Sequence, residues 1–178
     1  MVELRLSYFV TMVVFDASTL ILIAKVELLD LFLADVRLPV AIPSEVEREC
    51  CGSKRTPDSA IIQGMLDDSR IKVVALKNRQ AVVKLQTDFS LGRGEAEAVA
   101  LAITAKAQLL GTDDKNGIRA CKLLGLPFTT AVGILIRSCE KGLLKEPEAL
   151  ERLALLAKHG RYRHSIVEDA RLKLGVTQ

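Results

Sequence analysis

The chain has 178 residues, 49% of them apolar, with a formal net charge of +3, which fits one domain with an ample buried core. Aromatic residues are scarce and Trp is absent, so stacking of bases on an aromatic platform is excluded as the main hold on nucleic acid. The two histidines, His159 and His164, stand near the C-terminus without a cysteine neighbour, which excludes a zinc site and histidine acid–base chemistry.

In chain order, Val2, Leu4, Leu6 and Tyr8 alternate with Glu3, Arg5 and Ser7, a period of two that predicts a short extra strand or extended arm. Met12 is equally placed as a start. The apolar stretch from Tyr8 to Ala24 has Asp16 in its middle and reads as neither signal peptide nor membrane span. It predicts a first strand over Val10 to Phe15, then a helix from Thr19 to Lys25 with Ser18 as N-cap. Leu28 to Ala34 continues helically. Leu38 to Ile42 is the second strand, and Pro43 suits the first turn of a helix that carries Glu45, Val46 and Glu49.

Gly52 to Pro57 is a polar turn, Asp58 to Leu66 a helix, Ile71 to Val74 a buried strand and Asn78 to Thr87 a further helix. Gly92-Arg93-Gly94 opens a helix from Glu95 to about Lys106. There Val99, Ala102 and Ile103 share a face with Glu95, while Glu97 is expected in solvent. Strand four is Gln108 to Gly111, followed by a helix from Lys115 to Leu124, a turn at Gly125-Leu126-Pro127 and a short strand from Phe128 to Thr130. Helices over Ala131 to Lys141, Pro147 to Lys158 and Arg163 to Leu174 complete the chain. Short apolar runs alternating with amphipathic helices predict an α/β fold with a mainly parallel sheet, because parallel strands need helical crossovers. Cys50, Cys51, Cys121 and Cys139 show no C-x-x-C spacing, so free thiols in a reducing cytoplasm are expected.

The chemistry lies in acids placed where strands hand over to helices: Asp16, Glu49, Glu95 and the pair Asp113-Asp114. In an open parallel sheet the carboxyl ends of the strands face one crevice. Acids gathered there repel and take up protons unless a cation offsets them, so bound Mg²⁺ or Mn²⁺ is the natural resolution. Each acid also has a plainer use. Asp16 suits a helix cap, Glu95 a salt bridge to Arg93 or Arg119, and one of Asp113 and Asp114 the cap of the helix at Lys115. Glu45 and Glu49 share a helix face, but Glu45 sits in the first turn, where the helix dipole already favours it, so Glu49 is the chosen acid. Ser18 and Thr112 suit a water or phosphate oxygen as well as capping. With the acids in one crevice, the remaining surface is more basic than +3 suggests, which suits a phosphate-bearing partner.

Taken in order, these motifs resemble the PIN-domain ribonucleases, which include VapC-type toxins. Val14-Phe15-Asp16-Ala17-Ser18 is similar to the first acidic strand end, Ile42-Pro43-x-x-Val46-x-x-Glu49 to the second motif, Gly94-Glu95-Ala96-Glu97-Ala98-Val99 to the third and Thr112-Asp113-Asp114 to the fourth. The resemblance runs from about Met12 to Leu144. It implies a three-layer α/β/α sandwich with four to five strands, residues 1–11 forming an added arm and residues 145–178 an added helical segment of a single domain. The third position, often Asp in the toxins, is the longer Glu95 here.

The activity implied is metal-dependent hydrolysis of RNA. Asp16, Glu95 and Asp114 would hold the ions with Asp113 auxiliary, and Glu49 would orient or deprotonate water. Arg93, Arg119, Ser18 and Thr112 would meet the substrate, as would Lys54, Arg55 and Lys115 on its backbone. A standalone prokaryotic protein of this kind would be a cytoplasmic homodimer and, as the toxin of a pair, would have a small antitoxin partner. The competing reading is a noncatalytic RNA-binding or protein-interaction PIN domain. A phosphatase of the haloacid dehalogenase type is disfavoured because Ser18 stands where its second Asp belongs, and a receiver domain because the acidic pair comes late.

Overall fold

A computed structural model describes residues 11–52 and 56–175. The elements run β1 (Val13–Phe15), α1 (Ala17–Lys25), α2 (Leu29–Asp35), β2 (Val40–Pro43), α3 (Ser44–Cys51), α4 (Pro57–Asp67) and β3 (Lys72–Val74). They continue through α5 (Arg79–Phe89), α6 (Arg93–Thr104), β4 (Leu109–Gly111), α7 (Lys115–Leu124), β5 (Phe128–Thr129), α8 (Ala131–Glu140), α9 (Glu146–His159) and α10 (His164–Gly175). The five strands pair in parallel in the order β3-β2-β1-β4-β5, so the α/β expectation holds, with β1 at the centre.

Side chains alternate across these short strands and feed two separate cores. Val13 and Phe15 of β1 and Val40 and Ile42 of β2 enter one core with residues of α1, α2, α3, α4, α8, α9 and α10. Val14, Ala41 and Leu110 enter the other with residues of α5, α6 and α7. The result is a sheet between two helical layers, with strands apolar on both faces as a covered parallel sheet requires. Helix α6 is the most enclosed. Its Ala96, Ala98, Ala100 and Ala102 are all buried, and it packs on β1, β2 and β4 as well as on α3, α5 and α7.

Several sequence expectations need correction. The strand Ile71 to Val74 is not buried as a whole: Ile71 is, but Lys72 and Val73 are exposed, because β3 pairs only with β2 and forms the sheet edge. Helix α1 begins at Ala17, and its N-cap is Asp16, not Ser18. Ile103 is exposed, so it does not share a buried face with Val99 and Ala102. The arm over residues 1–10, and Lys54 and Arg55 of the polar turn, lie outside the described residues. Among the described residues no helix is long and apolar enough to cross a membrane.

The C-terminal helices are integral to the first core, to which Ala149, Leu153, Leu156, Ala170 and Leu174 contribute buried side chains. All four cysteines are free, with Cys50 and Cys121 buried and Cys51 and Cys139 partly so.

The register of β1 on β4 sets Phe15 beside Gly111, and a Cβ at Gly111 would run into the Phe15 ring. Replacing Gly111 with Ala is expected to destabilise the protein by about 1–3 kcal/mol, the usual cost of overpacking. An unchanged urea midpoint with an unchanged slope would contradict this.

Candidate functional site

The pairing of β1 with β4 carries the site. Both strands end at the same edge of the sheet, and the Asp16 N–H donates to the Gly111 carbonyl at 3.0 Å. Asp16 is therefore set beside Thr112, Asp113 and Asp114. Its side chain is 1% exposed, and its Oδ1 accepts from the Ser18 hydroxyl at 2.7 Å and from the Thr19 N–H at 3.0 Å. Its other oxygen, Oδ2, is buried and takes no hydrogen bond among the described residues, and neither does the neighbouring buried Thr112 Oγ1. Burial pushes the Asp16 carboxyl up to about 7, against the pull of the nearby Thr112 hydroxyl, which stands outside hydrogen-bond geometry, and of the bonded Ser18 hydroxyl and Thr19 N–H, while the charge on Asp113 adds to the rise.

Asp114 caps α7, its Oδ1 accepting from the Asn116 N–H at 2.7 Å and the Gly117 N–H at 2.9 Å. Glu95 folds back over the first turn of α6, where its Oε2 accepts from the Gly92 N–H at 2.9 Å. It is half-buried rather than on the core face. Neither arginine proposed for it is its partner, since Arg93 pairs with Glu97 and Glu45. Partial burial raises the Glu95 carboxyl, opposed by the Gly92 N–H and reinforced by the charge on Asp114.

Glu49, on α3, is exposed as a residue, yet its carboxyl rests on Gly94 so closely that a Cβ there would collide with it. Burial of that end raises its pKa, as do the charges on Glu45 and Glu95, against the Gly94 N–H. Asp16, Glu95 and Asp114 thus share one design: one carboxylate oxygen is tied to the protein, and the other takes no hydrogen bond among the described residues.

Asp113 is placed differently. Its Oδ2 accepts from the Thr19 hydroxyl at 2.7 Å and from the Ala131 N–H at 2.8 Å, and its Oδ1 accepts from the Tyr162 hydroxyl. Its own N–H donates to Ser18 Oγ at 3.0 Å. Tyr162 comes from the link between α9 and α10, and burial first, then the Asp113 charge, raises its phenol and keeps it a donor.

Two further acids depart from expectation. Glu97, expected in solvent, is 9% exposed. Its Oε2 accepts from the Glu45 N–H and its Oε1 from Arg93 Nε, each at 3.3 Å. Glu45 is also buried, and its hydrogen bond from Arg48 holds its carboxyl below the usual range despite burial. The buried position of Glu97 had a signal in the alanines on either side of it, since a helix buried on most sides leaves no solvent face. Arg119 is not gathered into the site but lies exposed on α7, lining a surface hollow with Lys115 and Lys122.

Among the described residues no three His, Cys, Asp or Glu side chains enclose a common point where a metal would sit. The donor set nonetheless suits a hard cation, which prefers carboxylate oxygens, and the orphaned Asp16 Oδ2 is a buried acceptor in need of a positive partner. A cavity of about 610 Å³ lies elsewhere, at the opposite end of the sheet near Val13, Leu38 and Gln108, and none of the candidate acids lines it.

Metal-free protein should lose stability as pH rises. The folded state holds the Asp16 proton up to about 7 while the unfolded chain releases it near 3.8, so in that window the native state binds more protons and deprotonation disfavours it. The loss is a few kcal/mol at about 1.4 kcal/mol per unit. Asp16→Asn should flatten this slope in chemical denaturation across pH 4 to 7; an equally steep slope in the variant would refute the assignment. Tyr162→Phe should cost about 1.5–3 kcal/mol, the range for a hydrogen bond to a charged group, and thermal melts indistinguishable from the parent would show that the Asp113 contact contributes nothing.

The DUF3368 family model, described as a PIN domain, matches residues 12–174. No curated protein matches the chain. The matched span runs from β1 into α10, so it takes in every candidate acid and the C-terminal helices that the sequence motifs left outside. On that match, together with a five-stranded parallel sheet whose carboxyl edge carries the acids, the chain belongs to the PIN-domain family, whose members are typically nucleases.

Proposed function

We propose that the protein is a metal-dependent endoribonuclease that hydrolyses RNA phosphodiester bonds. The observation that carries this reading is the buried Asp16 Oδ2, which no donor among the described residues meets in hydrogen-bond geometry, set at the strand ends beside acids that likewise keep an oxygen clear of the protein's own hydrogen bonds. Asp16, Glu95 and Asp114 would hold Mg²⁺ or Mn²⁺. When bound, the cation would lower the pKa of water and offset charge on the phosphate oxygens.

The chain's own residues supply the rest. Glu49, its pKa raised by burial and neighbouring acids, accepts a proton from the attacking water at its carboxylate. Asp113 was expected as an auxiliary ligand. With both oxygens already engaged by Thr19, Ala131 and Tyr162, it instead orients the β4 end and the N-terminus of α8. Ser18 bridges Asp16 to the Asp113 N–H and so positions rather than binds. Arg93 at the mouth of the crevice meets phosphate directly. Lys115 and Arg119, exposed on α7 outside the crevice, meet phosphates further along the strand, whereas the Thr112 hydroxyl, buried beside Asp16, positions that carboxyl instead of touching substrate.

A noncatalytic RNA-binding or protein-interaction domain is the second reading, favoured by the lack of a preassembled three-ligand cluster among the described residues. The toxin of a toxin–antitoxin pair, cytoplasmic and homodimeric with a small antitoxin as partner, is the narrower form of the first reading and rests on the resemblance to VapC-type proteins. Exposed Leu155, Ile166 and Leu172 on α9 and α10 offer a surface for self-association.

Purified protein should cleave single-stranded RNA in Mg²⁺ or Mn²⁺ and stop on addition of EDTA. Asp16→Asn and Asp114→Asn should each lower the rate by at least about 100-fold, the scale of losing a group that stabilises transition-state charge. RNA bound but uncut by the parent protein would support the second reading, and equal cleavage by parent and variants would expose a contaminant.

A further inference from the structure

Beside the carboxylates, at the same edge of the sheet, a second hollow of about 420 Å³ opens between α5 and the first turns of α6. Leu76 follows β3 and Val82 lies on α5, giving the hollow an apolar wall, and Arg79, Gln86, Arg93 and Glu97 supply its polar groups. Arg93 stands two residues before Glu95, so it borders both the hollow and the acid crevice.

The charges do not cancel. Arg93 is answered by Glu97, whose carboxylate is fixed in turn by the Glu45 N–H. Arg79 makes no salt bridge or side-chain hydrogen bond among the described residues, and the Gln86 amide makes none either. The hollow therefore combines one uncompensated cation, one amide able both to donate and to accept, and an apolar wall. That set fits a nucleotide: a guanidinium for phosphate, an amide for a base edge and an apolar surface for the face of the base. A purely apolar ligand would leave Arg79 and Gln86 without partners, and an acidic small molecule would leave the wall unused.

We infer that this hollow is a subsite for the RNA nucleotide next to the scissile bond, with Arg79 on its phosphate and Gln86 reading its base. The inference deepens the ribonuclease reading and rests on it for the identity of the ligand as RNA. Arg93, pinned by Glu97, marks the passage from the acid crevice to the subsite.

Binding of short fluorescent oligoribonucleotides, measured in Ca²⁺ across a series of salt concentrations, tests the subsite apart from catalysis. Arg79→Ala should weaken binding about tenfold and reduce the slope of log affinity against log salt by about 0.7, the value for one phosphate contact on a single strand. Gln86→Ala should leave that slope intact and alter the ranking of homopolymeric oligonucleotides. Both positions lie on α5 with no side-chain bonds to lose, and circular dichroism of each variant verifies its fold. Unchanged affinity and slope for Arg79→Ala, with unchanged base ranking for Gln86→Ala, would overturn the subsite even if the parent protein cuts RNA. A parent protein that never cuts RNA but shows the Arg79 slope change would overturn the nuclease reading and leave the hollow as an RNA-binding site with no scissile bond beside it.

Discussion

The parallel pairing of β1 with β4 is the constraint from which the rest of the molecule follows. Three residues of each strand are in register, with the Phe15 ring lying where any side chain at position 111 would have to go. That close approach lets two loops far apart in sequence leave the sheet side by side. It also obliges the first residue after β1, an aspartate, to sit 1% exposed. A carboxylate in that position is costly unless protonated or matched by a positive charge. The local structure offsets only part of the cost, through two hydrogen bonds to a single oxygen.

The acids of the crevice divide by what holds them. Asp16, Glu95 and Asp114 each cap or brace the first turn of a helix with one oxygen, so the bond that orients the group also places it where the helix dipole favours negative charge. Asp113 is enclosed by donors from α1, α8 and the link between α9 and α10, which locks three parts of the chain around the end of β4. Glu45 and Glu97 form a third group, neutralised by Arg48 and Arg93. A crevice so acidic is tolerable because two of its carboxylates are thus compensated by arginines, three have raised pKa values and one is saturated by hydrogen bonds.

Much of this was legible in the sequence, because apolar runs bounded by capping residues report both element type and strand end. Strand order is another matter. Nothing local distinguishes the edge strand β3 from the central β1, and a hydrophobic Ile71 followed by Val73 and Val74 reads as buried until the partner strands are known. Side-chain destinations failed for a related reason. Glu97 reads as a solvent-facing helix residue until α6 is found to be covered on nearly every side, and Ser18 and Asp16 are both good caps whose competition is settled only by the pull of the β4 end. Tyr162 carried no signal at all. Its role depends on a contact with Asp113 across 49 positions of chain.

The alanines of α6 set a spacing. Ala96 and Ala100 share one side of α6 and Ala98 and Ala102 the nearly opposite side, so only methyl groups separate the helix from neighbours on two sides, and the carboxylate-bearing turn at its start sits in a narrow slot between them. A bulkier residue at any of these four places would act as a shim on one wall of that slot, shifting the rod sideways and its acidic tip with it.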